Sequence, residues 1–225
     1  VANKTNAAVV FVEYSLSPGV RYPVAIEEAY HAMEYVANNG KQLNLDSSRM
    51  AVAGDSAGGN MAAVMAIMAK QRNGPKIAYQ VLIYPVTDAN FDTNSYHKFA
   101  SGYELDRDSM ERFWDSYLPD KEARMQPMAS PLQASADLLK GLPPALVITA
   151  EHDVLRDEGE AYALKLSEAG VPTTGVQYLG MAHGFIMPDE FMDIPATREA
   201  IDLASDRLRK AFINNSIKRG IFSST

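Results

Sequence analysis

The sequence MAVAGDSAGG occupies Met50–Gly59. Its first four residues form a short apolar run of the kind found in buried strands, and the Ala- and Met-rich stretch Ala57–Gln71 that follows is typical of a helix. Gly54, Ser56 and Gly58 form a G-x-S-x-G motif, which in this strand-to-helix context predicts a sharp turn that lifts the serine hydroxyl above the sheet edge. Glycine is expected on both sides of the serine because a Cβ atom there would collide with neighbouring backbone. The alternative is a glycine-rich turn whose serine only caps the helix.

The elements around this motif predict an α/β fold, with a mostly parallel sheet flanked by helices. Apolar runs predict strands at Ala7–Tyr14, Met50–Ala53, Tyr79–Val86, Ala145–Ala150 and Thr174–Leu179. Helical spacing of apolar residues predicts helices at Ala25–Asn38, Ala57–Gln71, Asp157–Ala169 and Pro195–Asn214. An irregular tail is expected at Ile221–Thr225. The whole chain, residues 1–225, is expected to form a single domain.

The segment from about 88 to 142 interrupts this alternation. It has no sheet-like apolar run and carries the only tryptophan, Trp114. A long insertion without strands between two core strands is usually functional or a subdomain, so we expect a helical, cap-like insertion here. Phe113 and Trp114 either line a pocket or pack on the core as a helical apolar stripe, and the second interpretation is favoured.

Composition limits the class of protein. The net charge of −7 argues against a nucleic-acid partner, which would need a basic face to neutralise phosphates. No apolar run approaches the roughly 18 residues of a transmembrane helix. The chain has no cysteine, which excludes disulfides, Cys-bound zinc and thiol nucleophiles. No cofactor or metal is expected, and a cytoplasmic location is expected, although a lack of cysteine fits any compartment.

Two polar residues follow predicted strands in the same way as Ser56. Asp153 lies just beyond Ala145–Ala150, and His183 lies just beyond Thr174–Leu179. The carboxyl ends of parallel strands meet at one edge of a sheet, where such folds bind ligands. A serine nucleophile needs a base to take its proton, and the base needs a carboxylate to fix its tautomer. We therefore predict a catalytic triad of Ser56 as nucleophile, His183 as general base and Asp153 as the orienting carboxylate.

Other histidines and acids compete for these roles. His152 is the rival base, but it shares a loop with Asp153 and would point away from it. His31 and His97 are expected to be solvated, and His183 itself has the alternative of being an ordinary loop histidine beside a tight turn. Two nearby carboxylates are expected instead to cap the helix that follows them: Asp157 and Glu158.

Four motifs in matching order resemble the hormone-sensitive-lipase family of the α/β-hydrolase superfamily, which includes many bacterial short-chain carboxylesterases. They are GDSAGG at 54–59, YSLSP with a later YP within 14–23, DVLRDEG at 153–159 and HGF at 183–185. Val154 stands where the family has proline, and Gly19 where it usually has glutamate. The resemblance implies an esterase or lipase-like hydrolase of short to medium acyl esters that forms an acyl-enzyme, with the Ala57 N–H in the oxyanion hole.

The resemblance also implies a missing N-terminal part. The family's H-G-G-G oxyanion motif and three core strands precede the strand that corresponds to Ala7–Tyr14, and no counterpart precedes Ala7 here. The Ala7 strand is then expected to shift, pair elsewhere or recruit another chain. Turnover is expected to be impaired, because one lost oxyanion donor costs about 10²–10³ in rate.

Several functions stay open beside the small-molecule esterase. The chain is alternatively a folded but weakly active or inactive fragment, a ligand-binding protein on the same fold, or a peptidase that uses the same chemistry. The family resemblance also implies a homo-oligomer formed through the last strand, Thr174–Leu179, and the C-terminal helix.

Overall fold

A computed structural model describes the backbone of residues 1–222 and the side chains of residues 1–213. Its helices are α1 (Ala2–Thr5), α2 (Val24–Asn39), α3 (Ala57–Gln71), α4 (Asn94–Lys98), α5 (Arg107–Tyr117), α6 (Ala136–Leu139), α7 (Arg156–Glu168) and α8 (Pro195–Phe222). Its strands are β1 (Met50–Asp55), β2 (Ile77–Ile83), β3 (Ala145–His152) and β4 (Thr173–Ala182). The expected tail at 221–225 is helical through Phe222, and residues 223–225 lie outside the described part of the chain.

The strands form one parallel sheet in the order β1-β2-β3-β4. One row of paired residues crosses it from Gly54 to Leu82, then to Val147 and Gly175. Since every strand runs the same way, the residues that follow all of them gather at one edge. The expected mostly parallel sheet flanked by helices is confirmed.

Side chains that alternate along the strands bury both faces of the sheet. Leu82 and Val147 belong to the core on one face, together with residues of α3 and α7 that include Ala63, Ile67, Tyr162 and Leu166. Val81, Leu146 and Ile148 belong to the core on the other face, together with Ala200, Ala204 and Leu208 of α8. Helix α2 packs outside α3. The core thus holds the ends of β1, β3 and β4 in fixed positions.

The prediction of a strand at Ala7–Tyr14 is wrong. These residues are not part of any strand, and Val9, Val10 and Phe11 are exposed, with Phe11 86% accessible. An apolar, β-branched run forms a buried strand only where a neighbouring strand accepts its backbone hydrogen bonds, and the described sheet ends at β1. The segment leads instead to Tyr14, whose pKa is raised by burial and by the Asp55 carboxylate at the end of β1.

The insertion between β2 and β3 contains helices and, in the described residues, no strand. Trp114 of α5 is buried in a cluster with Val154 and Leu155, the two residues after Asp153, whereas Phe113 is exposed. The favoured interpretation, packing on the core, therefore holds for Trp114 but not for Phe113. Within residues 1–222, no helix combines the length and the apolar character needed to cross a membrane.

Candidate active site

The turn between β1 and α3 holds Ser56 in an unusual backbone conformation. Its φ of 54° and ψ of −119° lie outside the regions that most side chains prefer. Such a conformation costs about 1–3 kcal/mol and persists only where the surroundings enforce it. Here the Ser56 N–H donates to the Ile83 carbonyl at 2.9 Å, and the Val86 N–H donates to the Ser56 carbonyl at 3.2 Å. The last residue of β2 and the segment after it therefore hold the serine turn, which the G-x-S-x-G motif predicted.

The glycines of the motif differ in what they allow. A Cβ atom on Gly54 would lie 2.1 Å from the Gly58 carbonyl oxygen, so no side chain fits there. A Cβ atom on Gly58 would meet nothing within 4 Å, whereas one on Gly59 would lie 2.9 Å from Pro85 Cβ. The prediction that a Cβ atom would collide with backbone is thus confirmed for Gly54 and wrong for Gly58. The second close approach belongs to Gly59, outside the five-residue motif.

The three residues predicted to act together form one hydrogen-bonded chain. His183 Nε2 lies 3.0 Å from Ser56 Oγ, and His183 Nδ1 lies 2.7 Å from Asp153 Oδ2. The other carboxylate oxygen of Asp153 accepts the Leu155 N–H at 2.9 Å, which fixes its rotation. Asp153 is 1% exposed. This geometry allows an Nδ1–H tautomer, which leaves Nε2 free to accept the serine proton.

The sheet explains why residues so distant in sequence meet. β3 and β4 stay paired as far as His152 and Ala182, so Asp153 and His183 leave the sheet side by side. Gly184, with a φ of 79°, then turns the chain away immediately after the histidine.

The rival histidines lie elsewhere. The His152 ring stacks on Tyr103, with ring centroids 5.5 Å apart and planes 8° apart. His97 is exposed on α4 and pairs with Asp92 at 2.7 Å, and His31 is exposed on α2. The structure therefore brings His183, and not these three, to the serine hydroxyl.

The expectation that Asp157 and Glu158 cap α7 is wrong. Both residues lie in the first turn of the helix, but its N-terminus has no side-chain cap. Glu158 is 2% exposed, and its Oε1 accepts the N–H groups of Thr87 at 2.7 Å and Asp88 at 3.1 Å. Asp157 accepts the Ser95 N–H at 2.8 Å. These carboxylates bind α7, which begins three residues after Asp153, to the segment that follows β2.

Burial shifts the protonation of Glu158. Removal from water raises the pKa of this carboxyl well above its ordinary value, the two backbone N–H bonds lower the pKa in part, and the nearby Asp88 and Asp153 raise it further. The folded protein therefore holds the Glu158 proton more tightly than the unfolded chain does. By linkage, the stability contributed by this group is present below the unfolded pKa and is lost as the pH rises through the folded pKa.

Glu158→Gln is expected to become more stable relative to the wild type as the pH rises from ~5 to ~9, because the amide cannot ionise. Urea unfolding at a series of pH values measures this difference. Glu168→Gln, an exposed position on the same helix, is the control and should follow the wild-type curve. A difference between Glu158→Gln and wild type that does not change with pH would contradict the assignment.

Two residues beside Ser56 and His183 were not singled out from the sequence. Tyr84 follows β2, and its ring packs against His183. The pKa of Asp55, the residue before the serine, is raised by burial and lowered in part by its own N–H and by His183. Tyr84 was placed inside a longer strand, and no sequence pattern marks the end of β2 at Ile83.

Helix α3 begins directly after the serine, at Ala57. The first N–H groups of a helix have no acceptor within it, and its N-terminus carries a partial positive charge. These groups can donate to an anion that forms at the serine. The described residues contain no group of three or more His, Asp or Glu side chains placed to bind a metal ion.

Comparison with known proteins identifies the fold. Residues 1–187 match the model of the alpha/beta hydrolase fold family. A putative alpha/beta hydrolase of Acanthamoeba polyphaga mimivirus is 41% identical over 210 residues, which cover 93% of this chain and 61% of the relative. A carboxylesterase of Mycobacterium tuberculosis is 39% identical over 206 residues, which cover 91% of this chain and 64% of the relative.

Comparison with solved structures gives the same fold. A thermostable esterase from Pseudomonas putida superposes with a TM-score of 0.92 at 49% identity, covering 94% of this chain and 66% of that one. The serine turn and the parallel sheet place the chain among hydrolase folds. It belongs to the alpha/beta hydrolase fold family, and the resemblance found in its motifs is confirmed. The chain spans less than two thirds of the length of these three relatives.

Proposed function

We propose that this protein hydrolyses carboxylic esters of small molecules, with Ser56 as nucleophile, His183 as general base and Asp153 as the carboxylate that orients the base. The observation that carries the proposal is the 3.0 Å contact between His183 Nε2 and Ser56 Oγ at the turn before α3. The names of the relatives, among them carboxylesterase, arylesterase and ethyl acetate hydrolase, support the same reaction class.

In the first half of the reaction, Ser56 Oγ attacks the carbonyl carbon of the ester while its proton moves to His183 Nε2. The C=O bond opens to a tetrahedral oxyanion. When the intermediate collapses, the bond from the carbonyl carbon to the alcohol oxygen breaks, and the alcohol leaves with the proton held by His183. The product of this half is an acyl-enzyme on Ser56.

In the second half, water attacks the acyl-enzyme and gives its proton to His183 Nε2. The second tetrahedral intermediate collapses by breaking the bond to Ser56 Oγ, which takes the proton back, and the carboxylic acid is released. Asp153 keeps the proton on Nδ1 throughout and stabilises the imidazolium that forms twice in each turnover.

The Ala57 N–H is the proposed oxyanion donor of this chain. It is the first N–H of α3 and directly follows the nucleophile, the position that supplies one donor in this fold. A donor held at the developing charge contributes more than it would in water, because it needs no reorganisation during the reaction. We further propose that segment 88–142 acts as a cap and that short to medium acyl esters are the substrates. Homo-oligomerisation and a cytoplasmic location stay predictions.

A fluorophosphonate is expected to label Ser56 stoichiometrically, and the same preparation is expected to hydrolyse p-nitrophenyl acetate. The reagent adds to a serine only when a base activates its hydroxyl, so it reports on the assembled site. Peptide mass spectrometry locates the adduct, and heat-unfolded protein is the control that should remain unlabelled. Turnover with the label on a different residue would refute the assignment, and labelling without turnover would favour an inactive or ligand-binding protein.

A further inference from the structure

The ring of Tyr84 is packed directly against the imidazole of His183. The two ring centroids are 4.6 Å apart, and their planes are tilted by 57°. Tyr84 is 1% exposed and also contacts the ring of Phe185, with centroids 5.8 Å apart. Phe185 in turn packs against Tyr178 of β4 at 5.6 Å. The base is therefore backed by a connected set of buried rings.

The backbone of Tyr84 is held in an unfavourable conformation. Its φ is 34°, a value that few residues other than glycine adopt. The Tyr84 N–H donates to the Ile148 carbonyl of β3 at 2.6 Å. The residue before the tyrosine and the second residue after it bind the serine turn, through the Ile83 carbonyl and the Val86 N–H. Strain that is held in place from both sides commonly occurs at functional positions.

The hydrogen bond to Asp153 does not by itself fix the imidazole. It restrains the Nδ1 edge of the ring, but the opposite edge can still swing about that bond and move Nε2 away from the serine oxygen. The buried Tyr84 ring, packed at a tilt of 57° against the imidazole, occupies space into which the imidazole would swing. Tyr84 lies in the same segment, 83–86, that binds the backbone of Ser56. This one segment therefore fixes the positions of both Ser56 and His183.

We infer that Tyr84 is a positioning residue, whose ring holds the His183 imidazole in line with Ser56 Oγ. The inference rests on the proposed function for its kinetic consequences. It assigns no proton transfer to the phenol. Burial, together with the Asp55 and Asp153 carboxylates, raises the pKa of Tyr84, so the hydroxyl stays neutral while the base works.

Tyr84→Leu and Tyr84→Met are expected to lower kcat for p-nitrophenyl acetate by about 10- to 100-fold with KM nearly unchanged, because small misplacements of a catalytic group cost about this much. Tyr84→Phe keeps the aromatic ring and should retain most of the wild-type kcat. Tyr162→Leu is the matched control, because Tyr162 of α7 is equally buried and lies in the core shared with α3. It should lose stability but keep kcat for each folded molecule, with the folded fraction measured by circular dichroism.

A second measurement does not depend on turnover. The proton between His183 Nδ1 and Asp153 should give a far-downfield NMR signal in the wild type, in Tyr84→Phe and in Tyr162→Leu. The signal should broaden or disappear in Tyr84→Met, which fills most of the volume without a flat ring. An unchanged signal and unchanged kcat in folded Tyr84→Met, or an equal loss of kcat in Tyr162→Leu, would overturn the inference. A wild type with no ester hydrolysis but the expected NMR pattern would refute the proposed function and leave the positioning role supported.

Discussion

Ser56→Ala is expected to lower kcat for p-nitrophenyl acetate by about 10⁴- to 10⁶-fold, toward the rate without enzyme. Without Oγ there is no nucleophile, so the acyl-enzyme cannot form. His183 keeps its bond to Asp153 but loses the group it deprotonates. Any residual rate would come from binding and from the N–H groups at the start of α3. Initial rates of p-nitrophenol release, corrected for the buffer reaction, measure the loss.

The control is Ser167→Ala, which removes the same hydroxyl from an exposed position on α7. It should keep wild-type kcat and should still be labelled at Ser56 by the fluorophosphonate. Ser56→Ala should fold normally, because alanine occupies less space at the turn. Hydrolysis by Ser56→Ala within about tenfold of the wild type would show that another group performs the reaction, against the loss expected for a nucleophile.

Asp153→Asn is expected to lower kcat by about 10⁴-fold while the serine remains in place. Asp153 Oδ2 lies 2.7 Å from His183 Nδ1, and its Oδ1 accepts the Leu155 N–H. An asparagine that keeps its oxygen on the Leu155 N–H presents its NH₂ group to the ring. The ring must then accept at Nδ1 and carry its proton on Nε2, so it can no longer take the serine proton.

Asp108→Asn, at an exposed position in the first turn of α5, makes the same chemical change away from the site and should leave kcat unchanged. Asp153→Asn should also slow labelling of Ser56 by the fluorophosphonate to a similar degree, because that reaction needs the same base. A loss of less than about tenfold in both rates would show that the carboxylate does not control the tautomer.

Much of the sheet could be predicted from short-range patterns. The four strands that pair were all anticipated, with ends displaced by up to three residues, because each is a short apolar run between turn residues. The main helices were anticipated for the same reason. The serine turn was predicted because a strand, a G-x-S-x-G motif and a helix follow one another without a gap.

The predictions for Ala7–Tyr14 and Glu158 were wrong for the same reason. Ala7–Tyr14 has the composition of a buried strand, yet a strand exists only through hydrogen bonds to a neighbour, and composition does not report whether a neighbour is present. Glu158 has the position of a helix cap, yet it binds N–H groups of Thr87 and Asp88, about 70 residues away in the chain. In each case the outcome depends on groups distant in sequence.

The sequence by itself determined the chain order of the four paired strands and the main helices, the class of fold and the candidates Ser56, Asp153 and His183, because periodicity and chain order carry that information locally. Only the tertiary structure decided which histidine meets the serine, that Gly54 and Gly59 make the close approaches, and that Tyr84 lies against His183. These features depend on how the ends of β1, β2, β3 and β4 converge in space. Distances across that edge arise from packing of the whole core, which no local stretch of sequence encodes.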